Sequence, residues 1–277
     1  MENYREYLTE QQNEASMHID RMSSLEIAQV INREDKKVAD AVETQLPFIA
    51  RAIDAISARL KNGGRLIYIG AGTSGRLGVI DATECPPTYG VSPDLVQGII
   101  AGGKDAMFYS AEGAEDSAEN AVLDLKKISF SEKDVCFGLS ASGSAAYVCG
   151  ALQYAKELGA LTVALSCRSG SRIAGLAEIS ITPEVGAEVI SGSTRMKAAT
   201  AQKMVLTTVS TGVMVKLGRV SGNLMVYMHP SNLKLKNRAV RMVMTETGVS
   251  EEKARQALDS CGYSVTDAIA SLERSES

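Results

Sequence analysis

Three features of this 277-residue chain predict an α/β fold, a five-stranded parallel sheet sandwiched by helices. Between residues 65 and 217, short Val/Ile/Leu-rich runs alternate with stretches of helical periodicity, the pattern of strands joined by covering helices. Glycine is abundant, at 24 residues, whereas aromatics make up only 5% with no Trp, so the core must rest on aliphatic side chains around close backbone contacts. Ser, Thr and Gly cluster where helices are expected to begin. A helical leader precedes the sheet region and a small three-helix bundle follows it.

Residues 1–34 read as a helical leader, with Ser23 and Glu26 spaced as a capping box ahead of Leu25, Ile27, Val30 and Ile31. Val38, Val42, Leu46, Ile49, Ile53, Ile56 and Leu60 then recur by threes and fours, predicting a helix over 35–61 that Pro47 kinks or splits and Asn62-Gly63-Gly64 ends. Strands are predicted at 65–70, 96–101, 135–139, 161–166 and 178–182. Helices are predicted at 74–82, 110–125, 145–158 and 172–177, and a longer one at 193–217 takes Thr194, Arg195 and Lys197 into its first turn. Past Gly218 the pattern is purely helical: 232–247, then 251–260 and 265–272 around Cys261-Gly262-Tyr263. The expected division is a leader at 1–50, an α/β domain at 51–219 and a helical region at 220–277.

Composition excludes several functions. A net charge of −4 gives no basic field for nucleic acid, and aromatics are too sparse for base stacking. The polar segment Met1–Gln12 has no apolar core, and no run approaches the roughly 18 apolar residues of a membrane span, so a cytoplasmic protein is expected. Five scattered cysteines, Cys85, Cys136, Cys149, Cys167 and Cys261, form no C-x-x-C and read as small core residues. The two histidines, His18 and His229, lack neighbours at ligand spacing, which speaks against a metal site, and neither suits a Ser-His-Asp triad. No metal and no cofactor are expected, and acid/base work falls to carboxylates, Lys or Tyr.

Gly70-Ala71-Gly72-Thr73-Ser74-Gly75 satisfies G-x-G-x-x-G between a strand and a helix. A dinucleotide site would add an acid at the end of the second strand, but Asp94 precedes that strand and its end reads Ala101-Gly102-Gly103. Two more turns share the character of the first: Ser140-Ala141-Ser142-Gly143-Ser144, and Ser191-Gly192-Ser193-Thr194 before the long helix. Any one of them is also an ordinary helix cap. Three converging at the carboxyl ends of parallel strands suit a sugar phosphate, because helix N-termini offer unpaired N–H groups and partial positive charge, and hydroxyls add donors.

Among the acids near that crevice, Glu84 is followed at once by Cys85-Pro86-Pro87, which should end the helix and fix its direction. Glu115 lies in Glu112-Gly113-Ala114-Glu115-Asp116, where acids also simply complement a helix dipole. Two carboxylates from separate segments facing one crevice provide an acid and a base.

At these residues the sequence resembles the N-acetylmuramic acid 6-phosphate etherases, of the sugar isomerase domain superfamily. The likeness runs over nearly the whole chain, from Leu8-Thr9-Glu10-Gln11 and the run at 31–38 to the helical tail. It is most specific at 69–78, at Asp81-Ala82-Thr83-Glu84-Cys85-Pro86-Pro87-Thr88, at 112–116 and at Gly192-Ser193-Thr194-Arg195-Met196-Lys197-Ala198. The resemblance implies cleavage of the D-lactyl ether at C3, giving N-acetylglucosamine 6-phosphate and D-lactate by elimination and water addition. It further implies Glu84 as the acid for lactate departure and Glu115 as the base, at C2 or for the incoming water. Phosphate is implied on Ser74, Ser140 and Ser142, then on Gly72, Thr73, Ser144, Ser193 and Thr194. Where the family usually has Arg-Thr-Pro, this chain has Ser144-Ala145-Ala146, losing a guanidinium and a hydroxyl; Arg195 or Lys197 could replace the charge or be structural ion-pair partners. The tail resembles ubiquitin-associated bundles, read here as a packing or oligomerisation element. Domains of this type usually pair, so a homodimer is expected. The competing readings are a sugar-phosphate sensor like glucokinase regulatory protein and an aldose–ketose isomerase.

Overall fold

The computed structural model describes residues 11–228, 230 and 232–276, and they form two compact units. The first runs to Ala82 and resumes over Asp94–Val213; the second joins Thr83–Pro93 to Met214 onwards.

In the first unit, α1 (Ser24–Glu43) starts on the expected capping box: the Ser23 hydroxyl accepts from the Glu26 amide, and the Glu26 carboxylate accepts from the Ser23 amide at 2.7 Å. It passes without a break through residue 34, where the sequence suggested the leader ends. The split comes at Thr44-Gln45, just ahead of Pro47, which stands in the first turn of α2 (Leu46–Lys61), where its missing N–H costs no helical hydrogen bond. Gly63, at φ +83°, ends α2.

Strands β1 (Leu66–Gly70), β2 (Val96–Ile100), β3 (Val135–Leu139), β4 (Leu161–Leu165) and β5 (Ile179–Ile181) lie within a residue of their predicted bounds and form one parallel sheet. Its order is β2-β1-β3-β4-β5. The crossover α3 (Gly72–Tyr89) packs its first turns on one face, Gly78 lying against Tyr68 and Leu139. The crossovers α4 (Ala118–Lys127), α5 (Ala146–Glu157) and α6 (Arg172–Leu176) cover the other face through Ile67, Ile69, Cys136, Leu125, Val148, Leu152 and Ile173. The chain therefore reverses between β1 and β3, and the loops leaving these adjacent strands diverge to opposite faces. An open α/β sheet offers its ligand crevice at such a point.

The last helix, Val265–Glu276, runs four residues past its predicted end, and three helices between residues 72 and 216 depart from their predicted bounds, each for a local reason. α3 continues through Pro86 and Pro87 to Tyr89, because the prolines fall in its last turn and the Gly90 amide, at φ +61°, closes that turn on the Pro86 carbonyl at 2.9 Å. The helix expected from 110 begins only at Ala118: Gly113, at φ +70°, breaks the run and leaves Glu115 in a 3-10 turn, Ala114–Asp116. α7 (Lys197–Lys216) starts four residues late, so Thr194 and Arg195 precede it. The buried Glu188 carboxylate sets that start by accepting from the Lys197 and Ala198 amides at 3.0 and 2.9 Å.

Lys197 is a structural ion-pair partner: buried, with Nζ 2.6 Å from a carboxylate oxygen of Glu34, itself 3% exposed. Asn13 bridges Glu34 to the Ala187 carbonyl. Four of the cysteines are buried, and burial pushes the Cys136 and Cys167 thiols up to about 12, so they pack as small hydrophobes. His18 is exposed, and His229 lies outside the described residues.

The second unit centres on α8 (Leu233–Thr247), α9 (Glu251–Ser260) and α10 (Val265–Glu276), packed through Val240, Val243, Leu258, Val265 and Ala268 with Val226 and Met228. Gly248 at φ +71° closes α8, and Ser250 caps α9. Among the described residues no helix is long and apolar enough to cross a membrane.

Burial pushes the Glu34 carboxyl up, but hydrogen bonds from Lys197, Lys37 and Asn13 outweigh it and hold the group at about 2, against an ordinary 4.5. The unfolded chain then binds the extra proton first, so this stabilisation is complete above about pH 4.5 and is lost as pH falls towards 2. Lys197→Met should lower unfolding free energy by about 3 kcal/mol near neutral pH and flatten that acid limb. Urea midpoints across the pH range measure both, and an unchanged limb would show that Lys197 does not hold Glu34.

Candidate active site

Two loops meet at the switch point. Gly70 and Gly75 let α3 begin against the end of β1, since a Cβ on Gly75 would stand 2.7 Å from the Gly70 carbonyl oxygen. Gly72, at φ +53°, turns the chain between them, and Thr73 and Ser74 enter the first turn of α3. After β3, the buried Ser140 hydroxyl accepts from the Gly143 amide at 3.1 Å, and Gly143 sits at φ +72° with its α-carbon pressed on Ser171. The loop is pinned from outside, the Cys167 amide donating to the Ala141 carbonyl at 2.8 Å and the Ile173 amide to the Gly143 carbonyl at 3.1 Å. The Ser142 and Ser144 hydroxyls are 2.8 Å apart.

The third loop precedes α7. Glu188 fixes its downstream end, while the Ser16 hydroxyl donates to the Val189 carbonyl at 2.6 Å and the Ser191 hydroxyl to the Gln11 carbonyl at 3.1 Å. The segment from Gln11 to Ser16 thus holds the loop from upstream.

All three loops open on one cavity of about 260 Å³, lined by Gly72, Thr73, Ser74, Ser140, Ser142 and Thr194 together with Glu115. Of the predicted residues, Ser144 stays within its loop bonded to Ser142, and the cavity takes Gly192 and Thr194 from the third loop but not Ser193. No Lys or Arg is among its described lining residues, so its pull on an anion comes from hydroxyls and the amide ends of helices. Arg195 is exposed and lines neither this cavity nor its neighbour.

The neighbouring cavity, of about 190 Å³, shares Ala71, Gly72 and Glu115 with the first. It adds Arg76, Ser110, Glu112 and the alanines at 101, 106, 111 and 114. Arg76 falls within the motif at 69–78 without an expected task; its signal in the sequence is a guanidinium one residue beyond the last glycine of the Gly70–Gly75 loop. Lys197 was offered as an ion-pair partner, but its partners were not foreseen: Glu34 stands in the charged run Arg33-Glu34-Asp35-Lys36-Lys37, where nothing local marks it for burial, and Glu188 lies between Ala187 and Val189. Glu84 lines neither cavity; it is exposed on the last turns of α3, in the part of that helix belonging to the second unit.

A model of the glucokinase regulatory protein N-terminal SIS domain matches residues 48–156, and one of the SIS domain matches 114–211. An N-acetylmuramic acid 6-phosphate etherase of Clostridium beijerinckii is 57% identical over 96% of this chain and 88% of its own length. One of Escherichia fergusonii is 55% identical over 95% and 88%. The chain belongs to the N-acetylmuramic acid 6-phosphate etherase family. A solved protein of E. coli CFT073 shares the fold with a TM-score of 0.54 at 18% identity, covering 74% of this chain and 99% of its own.

Gly143→Ala tests the second loop. A methyl at a positive φ, driven into Ser171, should lower Tm by several degrees and raise KM for a sugar phosphate more than it lowers kcat. Thermal melts and steady-state kinetics check both, and an unaltered KM would remove this loop from the phosphate site.

Proposed function

We propose that the chain carries out the reaction for which its family is named: the D-lactyl ether of N-acetylmuramic acid 6-phosphate is cleaved to N-acetylglucosamine 6-phosphate and D-lactate. One observation carries the reading. Glu115 lines the same cavity as the hydroxyls of Thr73, Ser74, Ser140, Ser142 and Thr194, so an anion cradle has a proton-transfer group on its wall.

Phosphate at C6 is remote from the reacting carbons, and its binding energy goes into positioning the sugar. With the ring open, the C1 aldehyde acidifies the C2 proton. Glu115 removes that proton, the C3–O bond breaks, and an acid gives a proton to the departing lactate oxygen, leaving a C2=C3 double bond conjugated to the aldehyde; by match to the family's motif that acid is Glu84, which lines neither cavity and on this reading is supplied across the dimer. Water then adds at C3 and a proton returns to C2. Both steps are redox-neutral, which suits a pair of carboxylates. The roles of Glu84 and Glu115 rest on matching the family's motifs together with the place of Glu115 at the cavity.

We also read the enzyme as a cytoplasmic homodimer. Cysteines held as free thiols, four of them buried, fit a reducing compartment, and exposed apolar side chains such as Leu46, Phe48 and Phe108 support pairing.

Incubation with N-acetylmuramic acid 6-phosphate should release D-lactate. Tight binding without lactate would favour a sensor, the reading that the glucokinase regulatory protein match supports, and a ketose product would favour an isomerase. Glu84→Gln should stop lactate release while C2 proton exchange with deuterated water continues; Glu115→Gln should stop both, and the opposite outcome would exchange the two roles. Sedimentation should give a dimer, an expectation that a fully active monomer would overturn.

A further inference from the structure

The etherase substrate carries two anions: a phosphate at C6 and, on the other side of the C2–C3 bond, the carboxylate of the lactyl group. The first unit has two cavities that meet at Gly72 and Glu115. The larger is hydroxyl-lined and has no cation among its described lining residues; the smaller has one, Arg76. We infer that the smaller cavity seats the lactyl group and that Arg76 recognises its carboxylate, a role that rests on the etherase reading.

Size, lining and orientation agree. About 190 Å³ leaves room for a lactyl group. Ala101, Ala106, Ala111 and Ala114 line the cavity as well, small residues that leave space for the lactyl methyl. Arg76 is half-buried on α3, and its guanidinium plane is fixed from behind: Nε donates to the Met107 carbonyl at 3.1 Å and Nη2 to the Tyr109 carbonyl at 3.3 Å. A guanidinium has five N–H donors, so donors remain for a ligand.

The acids on the same wall sharpen the requirement. Glu112, which accepts from the Ser110 hydroxyl at 2.9 Å, and Glu115 both line this cavity. An incoming carboxylate is repelled by them unless the guanidinium meets it, which makes Arg76 the group on which acceptance of the anionic lactyl depends. Because Glu115 borders both cavities, phosphate in one and lactyl in the other place the reacting carbons between them, beside the base.

The test compares wild type, Arg76→Gln and Arg76→Lys on three ligands: N-acetylmuramic acid 6-phosphate, its analogue with the lactyl carboxylate replaced by a carboxamide, and N-acetylglucosamine 6-phosphate as an inhibitor lacking the lactyl group. Arg76→Gln should lower kcat/KM for the natural substrate by roughly 10- to 100-fold, abolish the preference for carboxylate over carboxamide, and leave the inhibition constant unchanged. Arg76→Lys should recover part of the preference. An intact preference in Arg76→Gln would overturn the inference. So would a parallel loss of inhibitor affinity, which would assign Arg76 to the phosphate or to holding the segment at 107–109. If wild type releases no lactate from the natural substrate, the etherase reading fails first and takes this role with it.

Discussion

The site depends on backbone meeting backbone. At Gly70 and Gly75 the end of β1 and the start of α3 approach so closely that neither position tolerates a β-carbon, and the same strand end touches the Leu139 carbonyl of β3. This contact brings the N-terminus of α3 to the point where the sheet reverses. Its unpaired amides and the Thr73 and Ser74 hydroxyls then face the loop leaving β3. Hydroxyls and helix-end amides converge there, the donors that an anion needs, without a lysine or arginine among the described lining.

The third loop is held differently. The buried carboxylate of Glu188 caps α7, the first residue of α7 sends its ammonium to Glu34 on α1, and Asn13 ties Glu34 back to the loop at Ala187. Such a group is costly to desolvate, and it is retained because each charge has an opposite charge or an amide in contact. Its product is position: Gly192 and Thr194 are presented to the cavity by a segment clamped on both sides. The N-terminal segment therefore contributes to the site without lining it.

The proposed base and the loops that line the larger cavity also separate two kinds of task. The turns lining the larger cavity are held by backbone hydrogen bonds, and a Cβ on Gly143 would run into Ser171. Glu115, in a single 3-10 turn after Gly113, is exposed and borders both cavities, the place for a group that must meet a moving proton.

The strands were legible almost to the residue because each is a short, mostly apolar run ended by Gly, Ser, Ala-Gly or Thr-Pro, and local chemistry alone stops it. The loop set and the acid at 115 were legible for the same reason: they are contiguous motifs. Helix bounds were less so. Pro86-Pro87 signals an end that came a turn later, and the start of α7 was hidden because its cap, Glu188, is nine residues upstream in a buried turn. By itself, then, the sequence determined the sheet, its turns and the residue types offered to a ligand, since these follow from periodicity and backbone preference. Only the tertiary structure decided that Thr194 but not Ser193 reaches the cavity, that Lys197 is consumed by Glu34, and that Arg76 stands beside Glu115. Those outcomes turn on contacts between residues far apart in the chain, and no local pattern encodes the distances between them.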